Sequence, residues 1–163
     1  MTDTPPTLAH NCFVCGPANP IGLRLKFRVE DGVCRAEFTP GENHEGYPGV
    51  VHGGILFSVL DDVMANWLYL QGARAYTARC DIRFRKSGAV GERLILEGRH
   101  LESRGKVVKM KGTAVQESSG ELVAESTGTF MIINPDEFKV ALEQSRREPV
   151  ASEHGSPSEG AQT

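Results

Sequence analysis

The sequence predicts a two-layer α+β domain, with one long buried helix packed against an antiparallel sheet that curves around it. Three observations carry this. The stretch "ILFSVLDDVMANWLYLQG" is apolar around nearly its whole circumference, a pattern that only a buried helix tolerates. Segments on both sides of it alternate apolar and polar residues with period 2, as half-buried strands do. The connections between those segments are short and turn-like, which favours antiparallel neighbours. One helix against one antiparallel sheet makes two layers. The helix is too apolar for one sheet face to cover, so a wrapped sheet and a partner subunit are expected to complete its burial.

The chain of 163 residues suffices for one domain with its own core. A hydrophobic content of 39% and a charged content of 24% fit an ordinary globular protein. Net charge is −3, so no global basic field recruits nucleic acid or anionic lipid. No apolar run approaches the roughly 20 residues that span a bilayer, and "MTDTPPTLAHN" lacks the charged and apolar regions of a signal peptide. Four cysteines without a secretory signal imply reduced thiols in a cytoplasm.

Residues 1–9 are expected to be loose. "IGLRLKFRVED" alternates Leu23, Leu25, Phe27 and Val29 with Arg24, Lys26 and Arg28, and predicts a first strand. Asp31-Gly32 signals a hairpin, and "GVCRAEFTP" predicts a second strand that Pro40 stops. After the loop "GENHEGYPGVVHGG" comes the helix, with Gly72 as its stop. Ser58, Asp61, Asp62 and Asn66 make a narrow polar stripe on it. Four consecutive strands follow in "AYTARCDIRFRK", "ERLILEGRHLES", "KVVKMKGTAVQES" and "ELVAESTGTFMII". "PDEFKVALEQ" predicts a short last helix starting at Pro135. The folded domain is thus 10–143, and the Gly-, Pro- and Ser-rich stretch 144–163 reads as a disordered tail.

The chemistry concentrates in "GYPGVVHGGILFSVLDD". His52-Gly53-Gly54 stands where a loop enters the buried helix. A helix N-terminus presents unpaired N–H groups and partial positive charge, and glycine lets another group come close. The Gly53 N–H is a natural donor to an anion or oxyanion. Asp61 lies about two turns on. A buried carboxylate is costly unless paired or used, and the helix holds no Lys or Arg to pair it. Asp61 and Asp62 differ by 100° and cannot face one cleft. Asp62 is given a structural role, paired with a strand arginine.

His-Gly-Gly, six residues and then Asp, at the start of a long buried helix, resembles the hotdog-fold thioesterases of the phenylacetate-pathway (PaaI) type. "NCFVCGPANPIGL", "TARCDIRFRK" and "AESTGTF" resemble further segments of that family, so the likeness covers about residues 10–133. It implies acyl-CoA thioester hydrolysis with no cofactor and no metal. Asp61 would be nucleophile or general base, the Gly53 N–H would polarise the thioester carbonyl, and His52 would shape the loop. Thr77 matches the Ser or Thr that faces the site and holds water. The family's site lies between subunits, which implies a homodimer or a dimer of dimers, with Asp61 of one copy facing Gly53 of the other. Gly54, Arg83, Arg85, Lys86 and Arg104 are the substrate-binding candidates, the cations for the phosphates of CoA. The chain departs from the pattern at Gly46, where several relatives carry Asn or Gln, and at Ser87, where a proline is usual. A non-catalytic acyl-CoA sensor of the same fold is the alternative.

Cys12 and Cys15 form a C-x-x-C with His10 two residues upstream. Structural zinc normally takes four ligands, and neither a second C-x-x-C nor a βαβ context for a redox pair follows. The segment is therefore expected to pack, not to bind metal, with Gly16, Pro17, Asn19 and Pro20 as turn residues.

Overall fold

In a computed structural model, the structure describes residues 10–136, 138 and 139. The expected loose amino terminus and the tail of 144–163 lie outside the described residues. The elements run β1 (Arg28–Glu30), β2 (Val33–Phe38), a 3-10 turn (Glu42–His44), α1 (Gly53–Leu70), β3 (Ala75–Phe84), β4 (Leu94–Arg104), β5 (Val107–Gln116) and β6 (Leu122–Ile132). The six strands form one antiparallel sheet in the order β1-β2-β4-β5-β6-β3, and α1 packs against all six. No helix is long and apolar enough to cross a membrane among the described residues.

Residues 53–70 are helical because apolar side chains recur on every turn and nothing in the run breaks it. Leu56, Val59, Leu60, Val63, Met64, Trp67 and Leu68 are buried. Gly72 takes φ +83 as the stop just past the C-cap. The helix seats directly on the sheet because two cross-strand glycines lie beneath it. Gly98 of β4 pairs with Gly112 of β5. A Cβ on Gly98 would stand 2.4 Å from the Val63 carbonyl oxygen, and one on Gly112 would stand 3.2 Å from that of Leu60. The remaining apolar surface of α1 stays open in the single chain, with Phe57, Tyr69 and Leu70 exposed.

Two sequence expectations need correction. The first strand shrinks from 21–31 to Arg28–Glu30. Arg24 sits at φ +56, and the N–H groups of Leu23 and Leu25 bond the carbonyls of Phe13 and Val14 at 2.8 and 2.9 Å. The alternation in this stretch therefore packs Leu25 inward without joining the sheet. The hairpin after β1 is as expected, with Asp31 and Gly32 both at positive φ. The four later strands are also not simply consecutive. β4, β5 and β6 form a meander, but β3 pairs with β6 and stands at the far edge. The connection 85–93 carries the chain across, held by a bridge from Val50 to Ala89. As an edge strand, β3 is exposed along most of its length and carries a bulge between Thr77 and Arg79. Of the expected last helix, Pro135, Asp136, Phe138 and Lys139 are helical and the rest lies outside the described residues.

Candidate active site

The loop before α1 is built from its own backbone bonds. The His52 N–H donates to the His44 carbonyl at 2.8 Å, and that of Gly46 to Val50 at 2.9 Å. His52 is the N-cap of α1, and its Nδ1 accepts from the Gly54 N–H at 2.9 Å. This bond fixes the ring and puts the proton of a neutral imidazole on Nε2. The Gly54 N–H is thereby used. The Gly53 N–H, first of the helix, has no intrahelical acceptor and remains the available donor. Glycine is needed in the loop as well, since a Cβ on Gly46 would lie 3.3 Å from the His52 ring. Gly46 supplies no side-chain amide here, and the neighbouring Glu45 carboxylate accepts from the Gly49 N–H at 2.9 Å.

A cavity of about 330 Å³ opens at this helix start, lined by Gly53, Leu56, Phe84, Arg85, Lys86 and Ser87 among others. Gly53 lies under the Phe84 ring, which a Cβ there would approach to 3.2 Å. Both cations at the rim are already engaged. Arg85 pairs with Glu125, with its Nε at 2.9 Å, and Lys86 pairs with Glu121. Arg83 lines a neighbouring cavity with Asp81 and Glu125. Arg104 does not join them. It ends β4 opposite Val107, which pairs with Met131, and Met131 pairs with Tyr76 at the start of β3. That is the opposite end of the sheet from Arg85.

Asp61 is half-buried on α1, and its Oδ1 accepts from the Thr77 hydroxyl at 2.9 Å. The bulge after Thr77 lets β3 present this hydroxyl to the helix. Burial raises the Asp61 carboxyl above its ordinary value, and the Thr77 bond partly offsets that. The site therefore holds an oriented carboxylate with basicity above that of a free aspartate.

Asp62 turns to another side, as the helical geometry requires, but it has no arginine partner. Asn66 Nδ2 donates to its Oδ2 at 3.0 Å, and Cys12 Sγ lies 3.9 Å from its Oδ1. The strand arginine Arg35, for example, bonds Glu97 at 3.1 Å instead. Burial pushes Asp62 up to about 6, and the Asp61 charge adds to it. Sequence reasoning missed this meeting of Cys12, Cys15 and Asp62. The C-x-x-C was its visible half, but a contact spanning some fifty residues has no local signal.

Comparison with known proteins agrees with this architecture. The sequence profile of the thioesterase superfamily matches residues 48–123, from the loop before α1 to the start of β6. The chain is 28% identical over 100 residues to the acyl-coenzyme A thioesterase THEM5 of Mus musculus, over 61% of this chain. It spans only 40% of that relative's length. A phenylacetic acid degradation-related protein from Ralstonia eutropha JMP134 superposes with a TM-score of 0.60 at 27% identity, covering 67% of this chain and 85% of the other. A protein from Streptococcus mutans UA159, solved bound to acetyl CoA, shares the fold with a TM-score of 0.62 at 23% identity, over 66% of this chain and 87% of its own. A helix seated on a six-stranded antiparallel sheet gives this chain the hotdog fold, and the stretch that spans the helix and its capping loop is similar to the thioesterase superfamily.

Proposed function

We propose that the protein hydrolyses acyl-CoA thioesters at a site shared by two copies of the chain, with Asp61 as the base or nucleophile. The observation that carries this is the half-buried Asp61 carboxylate, held by Thr77 at 2.9 Å on a helix whose N-terminus offers the Gly53 N–H. Eight residues of helix separate the two groups by about 12 Å. No carbonyl carbon can meet both within one copy. A second copy placed antiparallel along the exposed β3 edge would bring its Gly53 toward this Asp61. The mouse relative is named an acyl-coenzyme A thioesterase, and the Streptococcus mutans protein shows acetyl CoA bound on this fold.

The chemistry uses what these groups supply. Asp61 takes a proton from water as the water oxygen bonds the thioester carbon. The carbonyl electrons move onto oxygen, where the partner's Gly53 N–H receives them. Collapse restores the carbonyl and breaks the C–S bond. The CoA sulfur leaves with the proton from Asp61, giving free acid and CoA. Nucleophilic attack by Asp61 gives the same products through a mixed anhydride that water then cleaves. Thr77 orients the carboxylate, and His52 sets the loop that aims the Gly53 N–H. Arg83, Arg85 and Lys86 would meet the phosphates, the latter two by exchanging their Glu125 and Glu121 partners for the ligand. The cytoplasmic setting rests on the cysteine usage of the sequence.

The test is release of CoA from acyl-CoA, followed with a thiol reagent. Asp61→Asn should lose at least about 100-fold in kcat/KM while its circular dichroism stays that of wild type. Equal rates would refute the assignment. Tight acyl-CoA binding by the wild type without any turnover would instead identify a sensor.

A further inference from the structure

The amino-terminal segment "HNCFVCG" meets α1 in a cluster that the thioesterase reading does not use. Cys12 Sγ, Cys15 Sγ and an Asp62 oxygen all lie within 4.8 Å of one another. The segment is wound so that the Cys12 sulfur accepts two backbone N–H bonds, from Val14 and from Cys15, each at 3.4 Å. The turn closes with the Gly16 N–H on the Cys12 carbonyl at 2.9 Å. It admits only glycine at 16, where a Cβ would stand 2.4 Å from the Cys12 nitrogen. Asp62 is oriented in the same sense. Asn66 holds one carboxylate oxygen at 3.0 Å and leaves the other facing the sulfurs.

From this arrangement we propose that Cys12, Cys15 and Asp62 bind one thiophilic divalent cation of the zinc class. Zinc–sulfur and zinc–oxygen bonds of about 2.3 and 2.1 Å set ligand separations of roughly 3.6–3.8 Å in a tetrahedron. The three donors lie within 4.8 Å of one another, with Cys12 Sγ and Asp62 Oδ1 at 3.9 Å, so shifts of up to about 1 Å reach these separations. Binding a divalent cation would displace the two thiol protons, and the cation would offset the charge of the resulting thiolates and the carboxylate in this half-buried place. Asn66 plays the outer part that holds a metal-binding carboxylate in position. All three donors line a cavity of about 390 Å³ together with Asn66, Tyr69 and Arg74 among others, which would leave room for water as a fourth ligand. The bound cation ties the amino-terminal segment to the central helix across some fifty residues of chain. The sequence offers a C-x-x-C with His10 upstream but no complete set of four ligands and no sign of Asp62, which is why it points to packing instead of binding.

The full chain, reduced and stripped of metal, is titrated with Co2+ alone. The expected result is one Co2+ per chain, with thiolate-to-cobalt charge-transfer absorption in the near ultraviolet and the visible bands of four-coordinate cobalt, all abolished by one equivalent of Zn2+. Cys12→Ser and Cys15→Ser lose the charge-transfer band, Asp62→Ala weakens binding by more than about tenfold, and Cys80→Ser leaves the spectrum unchanged. Wild-type protein that shows no such band overturns the proposal, whether or not any variant folds. So does a band that persists in both Cys12→Ser and Cys15→Ser. Asp61→Asn separates this site from the proposed reaction, since it should bind Co2+ as wild type does while thioester hydrolysis is lost.

Discussion

Gly98 lies under the central helix, and alanine there tests how closely helix and sheet are seated. A Cβ at this position would stand 2.4 Å from the Val63 carbonyl oxygen, 2.9 Å from its carbonyl carbon and 3.2 Å from the Met64 nitrogen. The first of these is roughly 1 Å inside van der Waals contact. All three atoms are helix backbone, so no side-chain rotation relieves them. Gly98 is itself pinned between Cys34 of β2 and Gly112 of β5. Either α1 lifts or β4 bends, and overpacking of this kind costs about 1–3 kcal/mol, with the upper end expected for a backbone clash. For a domain of this size the melting temperature should fall on the order of 10 °C. The internal control is Gly41→Ala, where a Cβ meets nothing within 4 Å and φ is −103. That change should be neutral or slightly stabilising through the unfolded chain. Both variants are compared by thermal unfolding followed by circular dichroism. If Gly98→Ala melts within a degree or two of Gly41→Ala, the close seating of α1 on the sheet is wrong.

Other outcomes follow from the site. Thr77→Val removes the bond to Asp61 Oδ1 and should lower kcat/KM about tenfold, the effect of one hydrogen bond to a charged group, whereas Thr77→Ser should retain most of it. Burial raises the Asp61 carboxyl, and the reaction needs its ionised form. Activity should therefore fall on acidification, with its midpoint above the ordinary aspartate range, and a kcat/KM profile flat down to pH 4 would contradict this. The Arg85 and Lys111 pairs hold the Glu125 carboxyl below its ordinary value. Its contribution to stability is complete above the unfolded-state value and is lost as pH falls through the folded one. Glu125→Gln should accordingly make unfolding less sensitive to acid, as read from urea midpoints between pH 3 and 6.

Much of this architecture is legible in the chain because its signals are local. The helix declares itself by apolar residues on every turn, and its limits by His52 and Gly72. The hairpin declares itself by Asp31-Gly32, whose positive φ values suit that pair. The separation of Asp61 from Asp62 follows from 100° per residue alone. Where local pattern misled, a longer-range bond overrode it. Residues 21–27 alternate as a strand does, yet the N–H groups of Leu23 and Leu25 are taken by the carbonyls of Phe13 and Val14. Arg83, Arg85, Lys86 and Arg104 look alike as nearby basic residues, yet sheet order sends Arg104 to the far end and puts Glu125 and Glu121 against Arg85 and Lys86.

By itself, then, the sequence determines the helix, most of the strands and the chemical character of the helix start, since hydrophobic period, turn residues and caps act over a few positions. Strand order needs the tertiary structure, because β3 and β6 are joined through contacts that no short window contains. The same holds for the partners of the two aspartates. Thr77 reaches Asp61 from the edge strand, and the amino-terminal C-x-x-C reaches Asp62 from some fifty residues away. "HNCFVCG" alone shows two cysteines, and Asp62 joins them only when the helix packs against the segment.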